Sequence, residues 1–209
     1  MRLLALASLL LAGSSPAGPP EPSIQSVEVA ARGHDLVLNA DISLELNSQL
    51  QDAADRGLPL YFTAEVEISR PRWYWFDETV LTASQTWRIM HNPLTGQWRV
   101  STGVLALPLG SLSEALSVVR HIRTWRIADR GVLRDDVDYE GRLRVRFDLS
   151  QLSKPFQVNA LNSGDWSLTT QWASFPVRVA ADAGAPPPAR SPGAMGTTAE
   201  PQPRAPSPP

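Results

Sequence analysis

Leu60-Tyr61-Phe62-Thr63-Ala64-Glu65-Val66-Glu67-Ile68-Ser69 sends the apolar side chains of Leu60, Phe62, Ala64, Val66 and Ile68 one way, and Tyr61, Thr63, Glu65, Glu67 and Ser69 the other. A period of two places successive side chains on opposite faces of an extended chain, so this stretch is a strand with one face in a core and one polar face. Upstream, Val27 and Val29 begin a strand, Arg32-Gly33-His34-Asp35 turns it, and Leu36, Leu38, Ala40, Ile42, Leu44 and Leu46 alternate with mostly polar residues. That reads as a hairpin whose second strand has one buried face. Asn47 is placed to cap a short helix in which Leu50, Ala53 and Ala54 share a face, and Gly57 to end it in a left-handed turn.

Downstream, a strand from Val80 to Met90 turns through His91-Asn92-Pro93-Leu94-Thr95-Gly96 and returns from Gln97 to Ser101, with Trp87 and Trp98 expected to flank the turn as a cross-strand pair. Ser111 with Glu114 three residues on forms a capping box, and Leu112, Ala115, Leu116 and Val119 make the apolar stripe of a second helix. Trp125 and Ile127 restart a strand. Val137 to Leu149 forms a long one with Val137, Tyr139, Leu143, Val145 and Phe147 on one face, and Trp166, Leu168 and Trp172 suggest a last strand. The expected class is α+β, mainly β: twisted antiparallel sheets with two short covering helices. The order hairpin, helix, strand occurs twice, which suggests an internal duplication, although the residue identities do not repeat.

At the start of the 209-residue chain, Arg2 precedes an apolar run from Leu3 to Ala12, and Ser15 and Ala17 stand at the minus-three and minus-one positions of a cut before Gly18. Residues 1–17 therefore read as a signal peptide, too short for a membrane span of about 20 residues, and the expected location is periplasmic or secreted. A linker at 18–23 leads to a single β-rich domain at 24–179. From residue 180 to 209 the composition turns to Ala, Pro, Gly and Ser, including Pro186-Pro187-Pro188, and a segment with so little apolar surface is expected to stay disordered.

The chain has no cysteine, which removes disulfides, thiol catalysis and cysteine metal sites. A net charge of −2 gives no basic footprint for nucleic acid. Gly-x-Ser-x-Gly is absent, no histidine pair has zinc spacing, and His34, His91 and His121 stand in unrelated contexts. Asp136-Val137-Asp138-Tyr139-Glu140-Gly141 begins like a calcium loop, but Phe147 occupies the position where a bidentate Glu is required. Carboxylate pairs such as Asp135 and Asp136 are too common to nominate a glycosidase dyad. No catalytic, cofactor or metal residue is therefore assigned.

Two patterns remain. Arg70-Pro71-Arg72-Trp73-Tyr74-Trp75-Phe76-Asp77 is the densest aromatic run; Pro71 cannot donate to a ladder and marks a bulge, an edge or a bend. The aromatics read either as core residues with Arg packed over their rims, which is the commoner fate of aromatics, or as a stacking surface for sugars or an apolar partner. Arg70, Arg72, Trp73, Tyr74 and Trp75 are the candidate binding residues. Second, Arg142, Arg144 and Arg146 share one strand face, on which Asp136, Asp138 and Glu140 also lie. Like charges in a row repel, so this stripe is expected to meet carboxylates on a neighbouring strand, and Glu65 and Glu67 are available.

The stretches Leu58-Pro59-Leu60, Arg70-Pro71-Arg72-Trp73-Tyr74-Trp75, Leu94-Thr95-Gly96 before Trp98-Arg99-Val100, and Leu152-Ser153-Lys154-Pro155-Phe156-Gln157-Val158 resemble an uncharacterised exported domain family of proteobacteria, from about Val27 to Trp172. The resemblance implies no catalytic residues and no cofactor. It implies a gene neighbourhood with a two-component system whose sensor kinase is of the nitrogen-regulation type. The expected function is thus a non-enzymatic exported binding or protein-interaction module of the cell envelope. Two alternatives stand beside it: an accessory to the extracytoplasmic part of a two-component sensor kinase, and an envelope hydrolase using carboxylates.

Overall fold

The period-two stretch does form the centre of the molecule. In the computed structural model, which describes residues 21–72, 77–135, 137–157 and 166–179, Leu60–Arg70 is a strand, and Leu60, Phe62, Ala64, Val66 and Ile68 are all fully buried. The described strands, in chain order, are β1 (Ser23–Arg32), β2 (Asp35–Ser43), β3 (Leu60–Arg70), β4 (Glu78–Asn92), β5 (Gln97–Thr102), β6 (Leu105–Leu109), β7 (His121–Asp129), β8 (Asp138–Phe147) and β9 (Ala173–Arg178). They pair into two antiparallel sheets, of order β1-β2-β7 and β6-β5-β4-β3-β8-β9. The inner faces of both sheets feed one hydrophobic core, in which Trp87 of β4 meets Trp125 of β7 edge-on with ring centroids 6.4 Å apart.

Helix α1 (Ser48–Asp55) carries the chain from β2 to β3, and α2 (Leu112–Arg120) carries it from β6 to β7, so each helix crosses from one sheet to the other. Both are capped as their sequences require: Asn47 Oδ1 accepts from Leu50 N at 2.8 Å, and Ser111 Oγ accepts from Glu114 N at 3.2 Å. Glu114 reaches back to Gly110 N at 2.9 Å, one residue beyond the usual capping-box donor. Leu50, Ala53 and Ala54 of α1 and Ala115, Leu116 and Val119 of α2 are buried, and Gly57 takes a left-handed φ of 92° after α1. The repeated order of elements does not extend to pairing. β3 is central in the six-stranded sheet, bonded to β4 and β8, whereas β7 is an edge strand of the three-stranded one.

Two local expectations are corrected, and one strand lies outside them. Trp98 faces His91, with rings stacked at 4.5 Å, and Trp87 faces Phe62; the connection Pro93–Gly96 pairs Asn92 with Gln97, so the residue opposite Trp98 is the one before Asn92. Among the described residues the last strand is β9, later than Trp166–Trp172; ahead of it Thr169 makes an isolated bridge to Arg146. Strand β6 was not anticipated, because its apolar residues follow no single parity and include Pro108.

A bulge sits where β7 passes β2: Leu38 faces Trp125 and Ala40 faces Ile122, leaving Arg123 and Thr124 against Asn39 alone. Thr124 adopts φ 51° there, and its N–H is held by Asn39 Oδ1 at 2.8 Å. A β-branched residue in the left-handed region is strained. The kink turns Arg123 onto the carbonyl of Ala40 at 2.9 Å and onto the Asp41 carboxylate.

Candidate functional site

The polar face of β3 looks outward from the six-stranded sheet, and the pairing register decides what it meets. Glu65 lies opposite Arg144 and Glu67 opposite Arg142 on β8. The arginine stripe therefore finds the two carboxylates expected of it: Arg142 binds Glu67 at 2.5 Å, Arg144 binds Glu65 at 2.5 Å, and Arg146 binds Glu65 at 3.0 Å and Asp148 at 3.0 Å. Burial pushes the Glu65 carboxyl up, but hydrogen bonds from Arg144 and Arg146 outweigh it and hold the group below the usual carboxylate range. Asp148 behaves likewise, its burial overcome by hydrogen bonds from Ser150 and Arg146. Asp138 pairs with Arg178 of β9 at 2.6 Å instead of joining the ladder, and Asp136 lies outside the described residues.

Trp172, immediately before β9, lies over this ladder with its ring 5.0 Å from the Arg142 guanidinium carbon and 4.6 Å from that of Arg144. Sequence reasoning assigned Trp172 to a strand and missed this role. Asp148 was missed too, although by parity it continues the face of Arg142, Arg144 and Arg146; it stands one residue past the end of β8 at Phe147.

Of the candidate binding residues, Arg70 and Arg72 are described, while Trp73, Tyr74 and Trp75 lie outside the described residues. Pro71 stands one residue past the end of β3, as a residue without an N–H should, and the β3–β4 ladder is already irregular between Ile68 and Ser69. Arg70 Nη2 binds Glu78 Oε2 at 2.5 Å, and Arg72 Nη2 binds the same oxygen. These two hydrogen bonds hold the Glu78 carboxyl below its usual range. Arg72 N also donates to Asp77 Oδ1 at 3.4 Å. The two guanidinium groups share the Glu78 carboxylate, and Asp77 supplies a second negative charge beside them. Beside it opens a shallow polar cleft of about 390 Å³, lined by Glu67, Ser69, Asp77, Thr79, Glu140, Arg142 and Ser174.

The three histidines serve separate places. His34 lines a cleft at the β1–β2 turn, His91 Nδ1 lies 2.7 Å from the Asp55 carbonyl, and His121 Nδ1 lies 2.9 Å from Asp41 Oδ1. Hydrogen bonds from His121, Arg123 and Ser26 hold Asp41 far below the usual carboxylate range. Among the described residues no group of three or more His, Asp or Glu converges as a metal site. No described helix is long and apolar enough to cross a membrane.

No curated protein and no solved structure matches this chain. Residues 20–176 match a family described as a domain of unknown function, DUF4390, and that span takes in every described strand but the last two residues of β9. The chain therefore belongs to the DUF4390 family.

Proposed function

We propose that this chain is a non-enzymatic exported binding or protein-interaction module of the cell envelope, and that it makes contact through the β3–β4 end of its six-stranded sheet. The observation that carries the reading is the pair Arg70 and Arg72 converging on the single Glu78 carboxylate beside the polar cleft. On the outer face of β3 and β8, by contrast, Arg142, Arg144 and Arg146 are matched by Glu65, Glu67 and Asp148. Two guanidinium groups drawn onto one carboxylate keep N–H donors to spare, and spare donors at the end of a sheet suit a partner's acceptor groups. Contact is favoured over bond-making because two of the cleft's three carboxylates already have donors: Glu67 holds Arg142, and Asp77 accepts from Arg72.

The test is in-cell crosslinking of the tagged full chain followed by purification from the envelope fraction, in wild type and in Arg70→Glu/Arg72→Glu. A defined protein recovered with the wild type and lost with the charge-reversed pair supports the reading. Recovery of the same protein in equal amount from both moves the contact elsewhere. If the recovered protein is a sensor kinase, the accessory role becomes the specific form of this function. N-terminal sequencing of the exported chain is expected to begin at Gly18.

A further inference from the structure

The β5–β6 hairpin carries a second surface, independent of Arg70 and Arg72. Among the described residues six large hydrophobic side chains are exposed, and three are in this arm: Val104 at 101%, Leu105 at 76% and Leu107 at 52%. Gly103, at φ 60°, and Val104 form the two-residue turn between the paired Thr102 and Leu105, so Val104 is the tip. Pairing puts Leu105, Leu107 and Leu109 on the face that carries Trp98 and Val100, and Ala106 and Pro108 on the other. Both faces of β6 are therefore apolar, unlike β3, which keeps polar residues on the face turned from the core. From Val100 to Ser113 the chain has no charged residue.

What fits such an arm follows from its edge and its base. Pro108 pairs with Arg99 and has no N–H, so its nitrogen is accommodated facing the free edge, which thereby lacks a donor that an added strand would need. Strand addition, by a partner or by a second copy, is disfavoured on that ground. A protein groove that reads one face of a strand would leave the other apolar face in water, whereas lipid accepts both. Behind the tip, Arg88 and Arg99 share the outer face: Arg88 is opposite Ser101, and Arg99 is opposite Met90. Arg88 contacts the Met90 sulfur and the Tyr61 ring, and neither arginine has an ion pair among the described residues. Four residues separate Val104 from the Arg99–Pro108 rung, about 13 Å at strand rise. An apolar element seated about 5–10 Å into the headgroup and acyl boundary would leave that rung among the phosphates, within reach of the arginine side chains.

We propose that the β5–β6 hairpin is a membrane-contact wedge that seats Val104, Leu105 and Leu107 in an anionic phospholipid surface, with Arg88 and Arg99 on the headgroup phosphates. The test is flotation of the purified exported chain with vesicles of phosphatidylethanolamine and phosphatidylglycerol, and with vesicles of phosphatidylcholine alone. Binding to the anionic vesicles is expected to fall at least ten-fold in Val104→Asp/Leu105→Asp. Each of Arg88→Gln and Arg99→Gln should weaken it about five-fold, the effect of one basic residue near an anionic surface. A Val104→Trp variant should shift its emission to the blue on the same vesicles, and melting temperatures should match wild type because these positions are exposed. Failure to bind anionic vesicles, or binding unchanged by the aspartate pair, overturns the proposal. So does a concentration-dependent dimer, or a lipid-independent crosslink from position 104 to another protein, that the aspartate pair abolishes.

Discussion

The β3–β8 ladder and the β5–β6 hairpin belong to the same six-stranded sheet and treat their side chains in opposite ways. On the ladder every arginine has a carboxylate, and Trp172 lies over two of them. On the hairpin Val104 and Leu105 meet no core, and Arg99 has no ion pair among the described residues. Groups satisfied within the fold act as framework; groups left unsatisfied mark where something else arrives. Substitutions in the two regions should therefore separate stability from contact.

The largest loss of stability is expected beneath the ladder. Phe62 is fully buried, its ring 5.6 Å from that of Phe147, and Phe62→Ala should cost about 3–5 kcal/mol in denaturant titration. Gly141→Ala should follow at about 1–3 kcal/mol. A Cβ there would stand 2.4 Å from the buried Phe175 ring, which would have to shift. On the ladder itself Glu67→Gln leaves Arg142 over half exposed and able to find water, so its cost should stay at or below about 1 kcal/mol. A loss beyond that would show the ladder to be a stronger tie than its exposure allows. At the hairpin, Val104→Ser should change stability by no more than about 0.5 kcal/mol, since the side chain packs against nothing.

Acid sharpens the same contrast. Glu65 and Asp148 are held below their ordinary range in the folded protein, so the stability they supply is complete above the unfolded value near pH 4 and is lost as pH falls through the folded values. Melting temperature should drop below about pH 4 in wild type. The drop should be shallower in Glu65→Gln, and unaltered in Val104→Ser.

Much of this was open to reading in the residues. Alternation in β2 and β3, the caps at Asn47 and Ser111, and the pairing of Arg142 and Arg144 with Glu67 and Glu65 follow from period, capping chemistry and charge, each decided within a few residues or by one register. What escaped depended on distant geometry. Trp172 meets Arg142 and Arg144 because β9 returns beside β8, and β6 is a strand only because β5 supplies its ladder. Arg70 and Arg72 could be nominated from the aromatic run beside them, but their convergence on Glu78 needed the irregular pairing at the end of β3.

The claim that the β3–β4 end makes contact while the ladder is framework is tested most directly by a photocrosslinking residue placed at position 72 or at position 144 of the full chain in living cells. A single protein product from position 72 and none from position 144 is the predicted result. A product from position 144, or none from either, would contradict the account.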